Sequence, residues 1–224
     1  TFIRELIQNT LDAKLPGPSK VAQLNLEVVN FNSPLEKKIY HTFVNDKIYK
    51  RLIKCGNIND DYKFNYKALK ASDFNTYGLD GILTSDYSNW NKYVFRTGNP
   101  KLSKGSNADG GRNLGKIATW KCSKLWMVFI RSQISKPYEE TRFMGRCMTN
   151  GYSKIDGKNK LREPHEYFVK KKIRNKVNVD PALEKCLKNL FKSPRDKYGT
   201  DFLFPEFSAF DIKELIPYTI KNWF

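Results

Sequence analysis

The sequence has 224 residues, of which 40% are hydrophobic and 14% aromatic; this excludes a disordered chain and is enough for one domain with a substantial core. Its apolar runs are too short to span a membrane and its N-terminus has no signal-peptide pattern, so we predict a cytoplasmic protein with no membrane contact. The net charge of +17 favours a polyanionic partner, nucleic acid or nucleotide phosphate, although a Lys-rich solvated surface would give the same total.

Hydrophobic periodicity predicts helices and strands along the whole chain. In order, these are a helix over 2–14, a strand over 24–31, helical sequence over 35–54, a strand over 64–71, a loop-rich stretch over 72–109, a loop entering a helix over 110–123, strands over 126–133, 141–148 and 167–171, a helix over 180–192, a strand over 201–204 and a helix over 211–222. No repeat or linker divides the chain. We therefore predict one α/β domain, residues 1–224, built as a two-layer sandwich with helices on one face of a mixed sheet. Because residue 1 opens directly on helical sequence, we expect a fragment of a longer protein.

The first predicted helix has a polar face that could perform chemistry. Glu5, Asn9 and Asp12 are spaced four and three residues apart, which places them on one side of a helix. The apolar residues are predicted on the other side: Ile3, Leu6, Ile7 and Leu11. A carboxylate beside an amide suffices for a general base next to a Mg²⁺ ligand, since Mg²⁺ prefers oxygen ligands. The alternative is the solvated polar face of an ordinary amphipathic helix.

Three further segments place glycine beside polar residues suited to a base or a phosphate. Asp73 follows the strand predicted at 64–71, where a carboxylate can accept a hydrogen bond from an exocyclic amino group. The glycines of 110–116 precede a predicted helix, where backbone N–H groups and the helix N-terminus attract phosphate. A Gly-Thr pair at 199–200 precedes the strand predicted at 201–204. Each segment alone has an ordinary alternative, such as an Asx-turn after a strand.

The order of these four segments resembles the GHKL superfamily of ATPases, which includes gyrase-type topoisomerases, ninety-kilodalton heat-shock chaperones, histidine kinases and MutL proteins. Residues 5–13, Glu-Leu-Ile-Gln-Asn-Thr-Leu-Asp-Ala, are similar to the N box of that superfamily. The resemblance implies a Bergerat ATP-binding fold with a long ATP lid at about 82–115. The sequence departs from the D-x-G-x-G box, because Asn75 stands at its first glycine and one extra residue precedes Gly78. Asn tolerates left-handed backbone conformations better than most residues, so it is a plausible substitute for that glycine.

The resemblance also implies roles for individual residues. Glu5 is the implied catalytic base that activates water, Asn9 the Mg²⁺ ligand, Asp73 the acceptor for the adenine amino group, and Thr200 its neighbour. The implied nucleotide-binding residues are Asn9, Asp12, Ala13, Asp73, Gly78, Gly81, Gly110, Gly111, Leu114, Gly115, Lys116 and Thr200. ATP and Mg²⁺ are the implied cofactors, and slow ATP hydrolysis is the implied activity.

Within the superfamily, residues 2–13 look most like the chaperone form. Residues 110–116 with 122–123, and the closing residues 221–224, resemble MutL- and microrchidia-like bacterial modules, including those of restriction and anti-phage systems. In such proteins ATP drives dimer closure beside DNA, so we expect DNA and a homodimer partner reached through flanking segments. Eight basic residues against one acid give 92–124 a net charge of +7, and nine against three give 154–176 a net charge of +6. The nucleic-acid candidates are Lys170, Lys171, Lys172 and Arg174. Two alternatives stay open: a nucleotide-gated module without significant turnover, and a basic nucleic-acid-binding domain whose boxes are coincidental.

Overall fold

The computed structural model describes residues 2–17, 21–83, 85, 87–94, 120–137, 139–149, 152–155, 158–161, 165–167, 171–173, 176–178, 181–192 and 194–207. The helices named within these ranges are α1 (Phe2–Asp12), α2 (Pro34–Phe43), α3 (Asp46–Lys54), α4 (Asn89–Val94) and α5 (Pro181–Leu190). The strands are β1 (Gln23–Asn30), β2 (Lys67–Phe74), β3 (Met127–Gln133), β4 (Thr141–Met148), β5 (Tyr152–Ile155), β6 (Lys158–Leu161), β7 (His165–Tyr167), β8 (Lys171–Ile173), β9 (Lys176–Asn178) and β10 (Gly199–Pro205).

One open sheet organises the fold, with the strand order β1-β2-β10-β3-β4-β7. Every pairing between its described strands is antiparallel. The α/β class is confirmed, whereas the prediction of a mixed sheet is wrong for this part of the chain. Hydrophobic periodicity gives the alternation of faces along a strand and carries no information about the direction of its neighbour. Two separate hairpins, β5–β6 and β8–β9, complete the described strands.

Helices cover both faces of this sheet. Alternate side chains of β3 enter two different core clusters, Met127 and Phe129 in one and Val128 and Ile130 in the other. The first cluster contains side chains of α2, α3 and α5, and the second contains side chains of α1 and α4. Three layers therefore replace the predicted two, and the prediction of helices on one face is wrong. The sequence does carry a signal for this, since β3 begins with four consecutive apolar residues, 127–130, as expected where a strand is buried on both sides.

Local capping explains where several elements begin. Ser33 caps α2 through a reciprocal capping box with Glu36. The side chain of Asn45 accepts a hydrogen bond from the backbone N–H of Ile48, which starts α3 and divides the predicted 35–54 helix in two. These caps are short-range features, so they could have been read from the sequence.

Strand β2 is displaced by three residues from its predicted position at 64–71. The backbone N–H groups of Asn65 and Tyr66 donate to the carboxylate of Glu206 at 2.8 and 3.1 Å, which takes them out of the strand ladder. Asp73 consequently lies within the end of the strand and pairs in register with Leu24.

The remaining differences concern short elements. Helix α4 lies inside the stretch predicted as loop. Of the strand predicted at 167–171, Tyr167 ends β7 and Lys171 begins β8, and residues 168–170 lie outside the described part of the chain. The helix predicted at 211–222 lies outside the described residues. None of the helices in the described ranges has the length and apolar character needed to cross a membrane.

Candidate functional site

A cavity of about 250 Å³ lies on the α1 face of the sheet, bounded by α1, the segment after β2, α4 and β10. This volume is close to the lower end of the range for small-molecule sites, roughly 300–1,000 Å³. The described residues that line it are Asn9, Asp12, Ala13, Asp73, Thr76, Tyr77, Gly78, Leu79, Asn89, Lys92, Tyr93, Thr200 and Phe202. Six of the predicted nucleotide-binding residues are in this set, and they come from three distant segments of the chain.

Helix α1 presents its polar residues to the cavity because its other side is buried. Ile3, Leu6 and Thr10 are buried, and the Thr10 hydroxyl donates to the carbonyl of Leu6 at 2.8 Å. The prediction that Leu11 belongs to the apolar side is wrong, since Leu11 is 51% exposed. The buried stripe is therefore narrower than expected and includes a threonine that satisfies its own hydroxyl within the helix.

Asp73 forms the floor of the cavity and is 8% exposed. Its Oδ1 accepts hydrogen bonds from the Thr76 hydroxyl and from the backbone N–H of Thr200, the latter at 2.9 Å. Burial raises the pKa of the Asp73 carboxyl, while these two hydrogen bonds and the charge of Arg195 oppose the rise. Within the described chain, no group donates to the second oxygen, Oδ2, so this atom is the acceptor that a bound ligand would meet.

The segment after β2 turns sharply and brings backbone to the cavity wall. Asn75 has φ +59°, a left-handed conformation that asparagine tolerates better than most residues. Its side-chain amide donates to the carbonyl of Val21 at 2.8 Å, and its own carbonyl accepts from the N–H of Leu15 at 2.9 Å. These bonds tie the turn to both ends of the α1–β1 connection. Asn75 therefore belongs to a well-connected turn.

Strand β10 supplies the last wall, and Gly199 permits its close approach. A Cβ at Gly199, which has φ +136°, would lie 2.6 Å from Oδ1 of Asp73. The next residue, Thr200, places its hydroxyl 3.1 Å from that of Ser132 on β3. The Gly-Thr pair thus has a physical role here, because the glycine admits the carboxylate and the threonine backbone binds it.

A buried ionic cluster supports Asp73 from the other face of the sheet. Asp201 is 1% exposed and forms ion pairs with Arg131, at 2.6 Å, and with Arg195. Arg195 also donates to the backbone carbonyl of Asp73, and its guanidinium lies 4.6 Å from the centre of the Phe74 ring. Burial lowers the pKa of Arg195, and the neighbouring carboxylates oppose that effect. Sequence reasoning missed this cluster, since its members are distant along the chain and match no motif.

The structure does not bring every predicted residue to the cavity. Glu5 lies one turn before Asn9 on α1 and is outside the lining set. Gly81 also lies outside it and packs against Ser88, where an added Cβ would be 2.6 Å from the serine Cβ. The predicted residues that fall outside the described part of the chain are Gly110, Gly111, Leu114, Gly115, Lys116, Lys170 and Arg174. Lys171 and Lys172 belong to β8, in a hairpin separate from the main sheet.

Sequence reasoning also missed cavity residues that match no family box. Lys92 and Tyr93 reach the cavity from α4, and Phe202 reaches it from β10. The rings of Tyr93 and Phe202 lie 5.0 Å apart between centroids and form an apolar wall. Helix α4 is six residues long, too short for hydrophobic periodicity to distinguish it within the stretch predicted as loop.

The donor set at α1 is compatible with Mg²⁺. Asn9 offers an amide oxygen, and Asp12 offers a carboxylate whose Oδ1 accepts from the side chain of Gln8 at 2.8 Å. One or two protein oxygens are enough, because Mg²⁺ usually completes its shell with waters and substrate phosphates.

Comparison with known proteins adds no relative: no family model, no curated protein and no solved structure matches this chain.

Proposed function

We propose that this protein binds Mg-ATP in the α1-face cavity and hydrolyses it slowly, as a GHKL-type module. The observation that carries the proposal is convergence. Residues 9–13, 73–78 and 200 were selected as nucleotide-binding from separate sequence boxes, and members of all three line one cavity. A chance match to these three short motifs gives no reason for their residues to meet.

Recognition of the base would rest on Asp73. Its Oδ1 is occupied by Thr76 and Thr200, and Oδ2 is left to accept a hydrogen bond from the adenine amino group. A buried carboxylate discriminates strongly, because a ligand that offers no donor leaves the charge unpaired. The rings of Tyr93 and Phe202 provide apolar surface for the base.

The phosphates would lie toward α1 and α4. Asn9, with Asp12 beside it, would hold Mg²⁺, and Lys92 adds a positive charge at the same cavity. Bound Mg²⁺ would neutralise phosphate charge and orient the terminal phosphate. Glu5 lies about 6 Å from Asn9 along the helix axis, toward the N-terminus of α1 and outside the lining residues. That position suits a base that takes a proton from water approaching the terminal phosphate, rather than a direct nucleotide contact.

Calorimetric titration with a non-hydrolysable ATP analogue and Mg²⁺ tests the proposal, with wild type and Asp73→Asn compared side by side. Asn preserves the shape but replaces one oxygen by an N–H₂ group, which faces the adenine amino group donor to donor. A charge-assisted hydrogen bond contributes about 1.5–3 kcal/mol, so we expect affinity to fall by roughly 10- to 150-fold. Absence of binding by the folded wild type, or equal binding by the variant, would contradict the proposal.

The nucleotide-gated alternative uses the same cavity, with ATP as a conformational ligand and negligible turnover. Steady-state phosphate release separates the two, because only the hydrolytic version predicts turnover. DNA and a second copy of the chain remain proposed partners. The charge of 154–176 supports the first, and salt-dependent binding to duplex DNA would test it.

A further inference from the structure

A second cavity, of about 420 Å³, lies on the opposite face of the sheet, between β3, β4 and the chain from α5 to Arg195. The described residues that line it are Arg131, Gln133, Thr141, Phe143, Lys188, Asn189, Lys192, Pro194 and Arg195. Four of these nine are cationic and none is acidic, so the wall presents only positive and neutral groups. The cavity shares no lining residue with the α1-face cavity.

The acids that balance these cations lie behind the wall or at its rim. Asp201 is fully occupied between Arg131 and Arg195, and it does not line the cavity. Lys192 forms an ion pair with Glu36 at 2.6 Å, and Glu36 also lies outside the lining. Burial of the two arginines fixes their guanidinium groups against the sheet. The positive charges of the cavity are therefore pre-positioned without a carboxylate inside it.

Lys188 is the cation most able to exchange its partner for a ligand. Its ion pair with Glu184 measures 3.0 Å, and the two side chains are 58% and 38% exposed. Exposed pairs of this kind contribute little to stability, so the ammonium can leave Glu184 at small cost. The same ammonium lies 5.5 Å from the centre of the Phe143 ring, over the cavity.

Neutral hydrogen-bonding groups complete the wall. Gln133 and Asn189 bring side-chain amides, and Thr141 brings a hydroxyl that donates to Gln133. Cations together with amide donors in a concave site suit a multiply charged anion with several oxygens. We propose that this second cavity binds a small phosphate-bearing anion. The proposal does not depend on ATP binding at the other face.

Titration of the ¹⁵N-labelled chain with sodium pyrophosphate tests this, in metal-free buffer at constant ionic strength. We expect saturable shifts of the side-chain amides of Asn189 and Gln133. Lys188→Gln should weaken binding by about three- to fivefold, as expected for loss of one partly exposed charge contact. Lys185→Gln is the matched control, because it removes the same charge from an exposed position on the same helix and lies outside the lining. It should leave the affinity unchanged.

Several results would overturn the proposal. Shifts confined to residues 9–13 and 73–79 would place the anion in the α1-face cavity instead. Equal weakening of pyrophosphate binding by the two lysine variants would show that the effect comes from general surface charge and not from the cavity. A response to a short single-stranded oligonucleotide but not to pyrophosphate would identify backbone phosphate as the ligand and make the small-anion proposal wrong. Absence of any saturable shift at Asn189 and Gln133 would remove the site altogether.

Discussion

Gly78→Ala and Gly56→Ala form a matched pair that measures how tightly the cavity wall is packed. Both glycines have φ +71°, so alanine is strained equally at the two positions. An added Cβ at Gly56 meets nothing within 4 Å, whereas at Gly78 it would lie 2.8 Å from the Ser132 hydroxyl and 2.9 Å from the Gln133 carbonyl. We predict that Gly56→Ala costs about 1–2 kcal/mol of unfolding free energy and that Gly78→Ala costs about 2–5 kcal/mol.

The larger cost at Gly78 follows from what its neighbours already do. The Gln133 carbonyl belongs to a central strand and cannot move without disturbing its pairing. The Ser132 hydroxyl could rotate, but it accepts from the N–H of Leu79 at 2.7 Å and pairs with the hydroxyl of Thr200. Moving the Ser132 hydroxyl would break these hydrogen bonds, each of which contributes about 0.5–1.5 kcal/mol to stability. Neither neighbour can move away from the new methyl group without losing hydrogen bonds.

Urea unfolding of the two variants and the wild type, followed by tryptophan fluorescence, provides the measurement. The slope of free energy against urea should stay constant, so that midpoints can be compared directly. A difference between the two variants below about 0.5 kcal/mol would show that the wall yields to an extra methyl group. The short distances between the turn at Gly78 and β3 would then be wrong, and so would our explanation of how Gly78 shapes the cavity.

Three further predictions concern the site itself. Glu5→Ala should lower ATP turnover by about 100- to 10,000-fold while preserving calorimetric ATP binding; surviving turnover would show that Glu5 is not the base. Lys92→Gln should weaken binding of the ATP analogue about three- to fivefold, whereas Lys47→Gln, on the other face of the sheet, should have no effect; equal losses would remove Lys92 from the phosphate site. Burial raises the pKa of the Asp73 carboxyl, so the folded protein keeps this proton to a higher pH than the unfolded chain does. The stability that the bound proton contributes is fully present below the pKa of the unfolded chain, and it is lost as the pH rises through the pKa of the folded protein. Asp73→Asn cannot ionise and should gain stability relative to wild type as pH rises above about 4, in urea unfolding at a series of pH values; a constant difference would contradict the raised pKa.

Much of the α1-face cavity could be predicted because its signals are local. Helical spacing placed Asn9 and Asp12 on one side of α1, and elsewhere in the sheet the strand predicted at 141–148 matches the bounds of β4, Thr141–Met148. The residue type alone indicated that Asn75 could replace the glycine, and its backbone is left-handed. Each of these inferences needs only a few neighbouring residues. Local steric and hydrogen-bonding preferences are sufficient to determine such features.

The features that sequence reasoning missed depend on contacts between distant residues. The guanidinium of Arg195 meets the Asp73 carbonyl across 122 positions of the chain, and no pattern around either residue records that contact. The burial of both sheet faces likewise depends on which face α2 and α3 pack against after β1. Glu206 gives a third case, since it binds Tyr40 and Tyr62 from the far end of the chain and shifts the start of β2. Periodicity reports that a surface is buried but not which partner buries it.

Successive side chains of β10 point to opposite faces of the sheet, so neighbouring residues of this strand lie beside different cavities. On β10, Thr200 faces the α1-face cavity, and the next side chain, Asp201, pairs with the two arginines that line the second cavity. Arg195 contacts both sides, because it binds Asp201 and the carbonyl of Asp73. An anion in the second cavity that weakened the bond from Arg195 to the Asp73 carbonyl would alter the support of Asp73, and linkage requires that a ligand on Asp73 act back on that anion with equal free energy. The sheet thus gives the two proposed sites a direct physical route for coupling, through a single arginine rather than through a movement of whole elements.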